Sequence, residues 1–474
     1  MGISLLHQKY EVPMFKRLIG DRAFYRRALM IAIPIIIQNG ITNFVSLLDN
    51  VMVGQVGTIP MSGVAIVNNL IFVFNMCVFG ATSGAGIFTA QFHGSQDHDG
   101  VRSTFRYKIL ISILLSVAGC GLFFLAGDSL AILYLKGEAD AAIVAETLAH
   151  GLSYLRIMIL GLPAFAFSYA YSSTLRETGQ GTVPMIASIV AVLLNLALNY
   201  ALIFGHLGAP ALGIRGAAIA TVIARYVELA IVAFWTHANP AINPFIRNAY
   251  QSLHIPKKLF TIITVKGMPL LVNEFLWSSG IAFLSQCYSI RGLDVVAAFT
   301  ITTTLSNLSN IAFMAMGNAV GIIMGQMLGS QVPESELRDA NRKLMALSVA
   351  SCAVFGGAMA AVSGIFPKLY NTTDSVQSIA TALICINAMI MPFNAYTTAS
   401  YFTLRSGGKT AITFIFDSGF VWCIIAPTAY CLSHFTALPI IPLYAICQAT
   451  DLPKCIMGYL MIKKGDWIQN LVSE

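Results

Sequence analysis

The amino-acid sequence predicts an all-α polytopic membrane protein, with twelve transmembrane helices in two pseudo-symmetric six-helix lobes. Three observations predict this fold class: the composition, the length of the apolar runs, and motifs that recur half a chain apart. Of the 474 residues, 57% are hydrophobic and only 10% are charged. Soluble domains carry roughly 25% charged residues, so a soluble chain of this length would need far more polar surface.

Twelve apolar runs are long enough to cross a bilayer, which takes about 20 residues. The predicted spans are 28–53, 61–83, 105–126, 143–169, 184–205, 213–236, 263–289, 295–325, 341–364, 376–403, 411–435 and 440–462. The longest internal linker, 237–262, is polar and contains three prolines. We expect it to be a cytoplasmic connection, in part an interfacial helix, between an N-terminal lobe, 1–236, and a C-terminal lobe, 263–474.

Two blocks of the first half recur in the same order in the second half. At a shift of 235 positions, Pro34, Gly86, Ile87, Gln91, Gly94 and Ser95 recur as Pro269, Gly321, Ile322, Gln326, Gly329 and Ser330. At a shift of 229, Pro163, Thr174, Leu175, Arg176 and Gly179 recur as Pro392, Thr403, Leu404, Arg405 and Gly408. Each half has an even number of spans, so this is a parallel repeat, and two such halves suit alternating access around a shared cavity.

The distribution of positive charge predicts the orientation. With the N-terminus inside, 21 of the 28 Lys and Arg residues fall in cytoplasmic segments and only 4 in external ones. Cytoplasmic loops collect Lys and Arg, so both termini are expected in the cytoplasm. This bias also explains the net charge of +7 without a nucleic-acid partner.

Acidic residues inside the predicted spans are candidates for function, because an ionisable side chain in a bilayer is costly. Two acids have a base three residues away on the same helix, which favours structural pairs: Glu228 with Arg225, and Asp451 with Lys454. Asp49, Glu274 and Asp417 have no such neighbour. Asp417 lies near the cytoplasmic surface, where headgroups or water can solvate it, so Asp49 and Glu274 are the stronger functional candidates.

Several separate motifs resemble the multidrug and toxic compound extrusion (MATE) family along nearly the whole chain. They are PIIIQNG to QVG (34–57), TAQFHG after the second span, TLRETGQ (174–180), NLALNYALIFG (195–205) and GIRGAAIAT (213–221). The resemblance implies a bacterial antiporter in the cell (inner) membrane, driven by protons or sodium, that exports organic cations and amphipathic compounds. We expect a monomer in the lipid bilayer without a cofactor, and not an enzyme.

The resemblance also implies site residues. In MATE relatives an Asp at the position of Asp49 carries the coupling cation, and the proline matching Pro34 bends that helix. Asn195 and Asn199 match its partners in span five, with Thr221 and Glu274 as further ligands. This chain departs from the family at Asn199, where many relatives have Asp, and at Asn394, where NorM-type relatives have Asp. The span-seven Glu of NorM-type relatives falls about one turn beyond Glu274. A lone carboxylate suits a proton, so proton coupling is favoured over sodium.

Amide and aromatic side chains would suit a broad-specificity cavity, although each could equally make interhelical hydrogen bonds. The candidates are Gln38, Asn39, Asn68, Asn69, Tyr169, Asn273, Asn394 and Tyr396. Three alternatives to an antiporter remain. A flippase-like exporter of a lipid-linked or other amphiphilic metabolite would need a basic cavity, a membrane enzyme would need a catalytic motif such as HExxH or GxSxG, and a channel would not need a repeat with unpaired acids.

Overall fold

The computed structural model describes residues 18–133, 135, 141–370 and 372–473, and these residues contain helices and no strand. Seven helices form the N-terminal lobe: α1 (Arg22–Gly54), α2 (Thr58–Gly94), α3 (His98–Leu133), α4 (Ala141–Met158), α5 (Leu162–Glu177), α6 (Thr182–Phe204) and α7 (Ile214–Ala238). Eight form the C-terminal lobe: α8 (Lys257–Ser289), α9 (Leu293–Gly329), α10 (Glu334–Val362), α11 (Asp374–Ser406), α12 (Thr410–Phe414), α13 (Ala426–Phe435), α14 (Ile440–Ala449) and α15 (Leu452–Lys464).

The predicted transmembrane fold is confirmed, and three of the spans are composite. Eleven stretches of the described chain are long and apolar enough to cross a membrane. The fourth consists of α4, a 3-10 turn and α5, and the eleventh runs from α12 through two π-helical turns into α13. The twelfth span is divided into α14 and α15. Pro453, the second residue of α15, has no N–H to extend the preceding helix, which accounts for the break.

The linker between the lobes differs from its prediction. No α-helix lies between Ala238 and Lys257, where a single 3-10 turn, Pro244–Ile246, is flanked by turns. The expected interfacial helix is therefore wrong. Arg102 and Arg106 of α3 donate hydrogen bonds to linker carbonyls, including those of residues 245 and 249, so α3 fixes the linker by satisfying its backbone oxygens.

Among the described residues, the cores that the two lobes share lie at one face of the molecule. One mixed core joins α2 to α8 and α11, and another joins α1 to α9 and α10. The remaining large cores each belong to a single lobe, because α2, α4 and α7 pack together in one and α8, α11 and α14 in the other. We call the shared end, where α2 ends at Gly94 and α9 ends at Gly329, the closed face.

Glycines bring the helices together at the closed face. A Cβ atom on Gly94 would lie 1.9 Å from the carbonyl oxygen of Gln326, and one on Gly329 would lie 1.9 Å from that of Gln91. The two repeated blocks thus pack against each other in a reciprocal way. The segment after α15 covers this junction: the Trp467 side chain is fully buried, and the backbone N–H of Leu471 donates to Oε1 of Gln91 at 2.7 Å.

Candidate coupling site and central cavity

Asp49 lies in a pocket inside the N-terminal lobe, between α1, α6 and α7. The pocket is lined by Thr42, Val45, Ser46, Asp49, Ser188, Ala191, Val192, Asn195, Thr221, Ala224, Arg225 and Glu228. Asn199 lies beside it, and its Nδ2 donates to Oδ1 of Asp49 at 2.7 Å. The structure therefore brings Asp49, Asn195, Asn199 and Thr221 together, although they come from three helices.

The amides beside Asp49 present donors to its carboxylate. The Asn195 amide is best satisfied when its nitrogen faces Asp49, at 3.1 and 2.9 Å from the two carboxylate oxygens, while its oxygen accepts from Thr221. The orientation of an amide is assigned from its hydrogen-bond partners in this way. With Asn199, two N–H donors then face one carboxylate, an arrangement that stabilises its charged form.

An ion pair completes the same pocket. Nη1 of Arg225 lies 3.0 Å from Oε2 of Glu228, one turn away on α7, as the sequence spacing predicted. Because both residues also line the pocket of Asp49, this pair contributes to the electrostatics of the candidate coupling site.

The second predicted ion pair, between Asp451 and Lys454, is wrong, because Lys454 has a different partner. Lys454 pairs with Asp417 of the eleventh span at 2.9 Å rather than with Asp451, the residue just before its own helix segment. Asn273 donates to the other oxygen of Asp417 at 3.1 Å, so this cavity candidate belongs to a buried ionic network instead. The sequence could not reveal this pairing, because Asp417 and Lys454 meet only through the packing of separate spans.

Glu274, the remaining coupling candidate, lies apart from the Asp49 pocket. It is on α8 in the other lobe and faces α2, where a Cβ atom on Gly80 would approach its Cγ to 3.5 Å. Arg405 of α11 is close enough to act on it electrostatically. The five residues proposed as ligands of the coupling cation therefore form one cluster of four and one separate carboxylate.

A central cavity lies between the lobes next to the closed face. It has a volume of about 70 Å³, is partly open to solvent, and is lined by Phe79, Thr82, Ser83, Gly86, Ile87, Ala90, Tyr169, Ser173, Arg176, Glu177, Asn318, Gly321, Ile322, Phe402, Arg405 and Ser406. The lining comes from α2 and α5 of one lobe and α9 and α11 of the other.

Two arginines from segments that were predicted to be cytoplasmic loops face this cavity. Arg176 lies in the last turn of α5 and Arg405 in the last turn of α11, and they are the two copies of one repeated motif. The repeated motif could have revealed this placement, because residues at equivalent positions of two facing lobes meet near the pseudo-symmetry axis. Of the polar and aromatic cavity candidates, Tyr169 lines the cavity.

The other candidates lie elsewhere. Tyr396 lines an apolar recess of the C-terminal lobe near Pro392 and Tyr459. Asn68 and Asn69 are exposed residues in the first half of α2, where Oδ1 of Asn68 accepts from the Tyr154 hydroxyl at 3.4 Å. Asn39 and Asn394 are half-buried, and each accepts a local hydrogen bond on its backbone oxygen. Pro34 lies within the uninterrupted helix α1, at the position equivalent to Pro269 of α8.

Gln38 connects the central cavity to the Asp49 pocket. Its Oε1 accepts from Nη1 of Arg176 at 3.4 Å, and its Nε2 donates to Oγ of Ser188 at 2.7 Å. Ser188 in turn donates to Glu228, the partner of Arg225. A continuous chain of polar contacts thus runs from the cavity wall to the wall of the Asp49 pocket.

Comparison with known proteins agrees with this architecture. The MatE family model matches residues 34–201 and again residues 269–430. The starts of the two matches are 235 positions apart and their ends 229 apart, which are the two shifts of the repeated blocks.

The similarity to named relatives extends over most of this chain and most of each relative. The chain is 24% identical over 90% of its length to the probable multidrug resistance protein YoeA of Bacillus subtilis, covering 91% of that protein. It is 26% identical over 87% of its length to the multidrug resistance protein PmpM of Pseudomonas aeruginosa, covering 84% of it.

A solved structure described as the outward-facing conformation of a multidrug resistance MATE family transporter has the same fold. It superimposes with a TM-score of 0.81 at 17% identity, over 96% of this chain and 98% of that one. The family model covers both lobes, and the members of this family are transporters rather than enzymes. The chain therefore belongs to the MatE family of membrane transporters.

Proposed function

We propose that the chain is a proton-coupled antiporter that exports cationic and amphipathic drugs from a bacterial cell by alternating access. The carboxylate of Asp49 in its pocket carries this proposal, since it is the acid that the lobe surrounds with neutral donors. Binding of a proton there would remove the charge that Asn195 and Asn199 now stabilise. A ligand that binds one conformation better than another shifts the equilibrium between them.

The donor geometry supports a proton over sodium. Asn199 directs its Nδ2 at Asp49, and Asn195 is best satisfied with its nitrogen there too. A sodium ion between Asp49 and these amides would face their N–H groups, which do not ligate a cation. A protonated Asp49 would need a single acceptor for its O–H, and rotation of the Asn199 amide would supply Oδ1, which is buried without a hydrogen-bond partner.

The packing of the lobes supports alternating access. Shared cores hold the lobes together at the closed face, whereas toward the opposite face each lobe has its own core. The bias of Lys and Arg supports a cytoplasmic closed face and cytoplasmic termini, which makes this the outward-facing conformation. The N-terminal 17 residues and Lys136, which enter that count, lie outside the described residues.

The function is tested in proteoliposomes that contain the purified protein and a fluorescent cationic dye such as rhodamine 123. We expect dye transport in sodium-free buffer when a pH gradient is imposed, and none when the gradient is collapsed. Transport that needs a sodium gradient at constant pH would contradict proton coupling and would leave Asp49 as the candidate site. The absence of transport under both gradients would contradict the antiporter.

One observation favours a second candidate, a flippase-like exporter of a lipid-linked or other amphiphilic metabolite. Arg176 and Arg405 both line the central cavity, which gives it the basic groups such a substrate requires. Competition between a short-chain polyprenyl phosphate and rhodamine 123 for the purified protein tests it. Strong competition by the phosphate and none by the uncharged polyprenol would favour the flippase-like function.

A further inference from the structure

One guanidinium nitrogen of Arg405 has no hydrogen-bond partner of good geometry, although the hydroxyl of Tyr401, which also lacks one, lies close to the guanidinium group. The residue is only 8% exposed, it lines the central cavity, and its Nη1 is buried without a hydrogen-bond partner. Leaving a buried donor unpaired is costly, more so when it is charged. A ligand that supplied an acceptor would therefore gain both a charge-assisted hydrogen bond and relief of this penalty.

Aromatic rings fix the planes of both cavity arginines. The guanidinium of Arg405 lies over the rings of Phe402 and Phe79, with its Cζ 5.2 and 5.9 Å from their centroids. The guanidinium of Arg176 lies 5.5 Å from the centroid of Tyr169. A stacked guanidinium keeps its N–H donors at its edge, in the fork that matches the two oxygens of a carboxylate.

The acids near the cavity do not neutralise these two charges by direct pairing. Glu177, which also lines the cavity, pairs with Lys108, a side chain that is fully buried. Glu274 acts on Arg405 through space, but among the described residues Arg405 forms no ion pair. The base of the cavity therefore presents two cationic edges, one from each lobe.

We propose that Arg176 and Arg405 form an anion subsite at the base of the central cavity, which binds the carboxylate of aromatic, amphipathic substrates. The inference rests on the proposed export function and narrows its substrate class toward zwitterions and anions. The rings of Phe79, Tyr169 and Phe402 border the same cavity and offer apolar area to the aromatic part of such a substrate. The two lobes contribute one arginine each, so the subsite is complete only while the closed face holds the lobes together.

The test uses two dyes that share one chromophore and differ in one group. Rhodamine 110 carries a free carboxylate, and rhodamine 123 is its methyl ester. Binding of each dye to purified full-length protein in nanodiscs is measured at equilibrium by fluorescence polarisation, with no ion gradient. We expect the wild-type protein to bind rhodamine 110 more tightly. Arg405→Gln and Arg176→Gln should each weaken rhodamine 110 binding about tenfold and change rhodamine 123 binding much less, because only the carboxylate loses a charged donor.

Arg247→Gln is the matched control, because it removes one positive charge from an exposed position of the linker. It should leave both dissociation constants unchanged. Should Arg405→Gln fail to fold, as judged by size-exclusion chromatography, Arg405→Lys and Arg176→Gln provide the same comparison. The double variant Arg176→Gln/Arg405→Gln should abolish the preference for the carboxylate.

The outcomes separate this inference from the proposed function. Equal binding of the two dyes by the wild-type protein, or equal loss of both in the arginine variants, would overturn the anion subsite. If rhodamine 123 were still transported under a pH gradient in that case, the export function would stand. A wild-type protein that bound and transported neither dye would overturn the export function together with the subsite that rests on it.

Discussion

Gln91 and Gln326 form the same hydrogen bond to opposite lobes. Nε2 of Gln91 donates to the carbonyl oxygen of Ser406, and Nε2 of Gln326 donates to that of Glu177, each at 2.8 Å. The acceptors end α11 and α5, next to the two cavity arginines. Each glutamine thus reaches from its own lobe to the other, which explains why the chain repeats this short block.

Adding a methyl group at this junction should open the closed face. Gly94→Ala or Gly329→Ala would place a Cβ against a carbonyl oxygen of the other lobe. Overpacking of this kind typically costs about 1–3 kcal/mol, here in the closed junction. We expect a lower unfolding temperature in detergent. We also expect a cysteine that replaces Ser83 of the cavity to be alkylated faster when inverted vesicles are treated with an impermeant thiol reagent.

Gly121→Ala is the control for this pair, because a Cβ at Gly121 meets no atom within 4 Å. It should change neither the unfolding temperature nor the alkylation rate. Unchanged alkylation in both junction variants would show that the lobes separate without disturbing these glycines.

Asp49→Asn should abolish coupling while the protein stays folded. The change keeps the shape of the side chain but removes the group that exchanges a proton, so an imposed pH gradient should no longer drive dye transport in proteoliposomes. Asp128→Asn removes an acid from an exposed position of the same lobe and should transport at the wild-type rate. Wild-type transport by Asp49→Asn would remove Asp49 from the mechanism.

Gln38→Leu should weaken the connection between the cavity and the coupling pocket. The substitution removes both contacts of Gln38, to Arg176 and to Ser188, without touching Asp49. A coupling energy of about 1.4 kcal/mol corresponds to a tenfold change, within the usual range for coupled sites. We expect pH-driven transport to fall by about that factor while equilibrium binding of rhodamine 123 stays near normal. Gln55→Leu, at the exposed end of α1, should leave both unchanged, and a matching loss of binding in Gln38→Leu would indicate a purely structural role.

The ion pair of the C-terminal lobe should behave as a unit. Asp417→Asn strands the charge of Lys454, whose side chain is only 10% exposed, and breaking a buried pair typically costs about 3–5 kcal/mol. Asp417→Asn/Lys454→Met removes both charges and should recover most of the unfolding temperature that Asp417→Asn loses. Asp451→Asn, the control, should cost clearly less, since Asp451 is not the ion-pair partner. Recovery of stability without recovery of transport would assign this pair to function.

Cysteine labelling tests the orientation. On a cysteine-free background, Ser473→Cys at the closed face and Leu207→Cys in the loop between α6 and α7 both place a thiol at an exposed position. In intact cells an impermeant thiol reagent should label position 207 and not position 473. The reverse pattern would place the closed face outside and would make this conformation inward-facing.

The sequence by itself determined the membrane fold, the duplication and the Asp49 cluster. Composition and run length are sums over local residues, and a hydrophobic helix must satisfy its backbone internally in lipid, so spans can be recognised one at a time. The repeat was visible because the two lobes still share side chains at equivalent positions. Asn195 and Asn199 could be matched to Asp49 through the family motifs, although only packing brings the three helices together.

Only the tertiary structure decided which polar groups face each other across helices. Sequence spacing paired Lys454 with the nearby Asp451, whereas packing gave it Asp417. The sequence placed Arg176 and Arg405 in loops, because apolar runs define the ends of spans only to within several residues. The sequence also does not show which way a helix end points. Their placement at one cavity follows from the contact of two lobes, and that contact depends on distances between residues far apart in the chain.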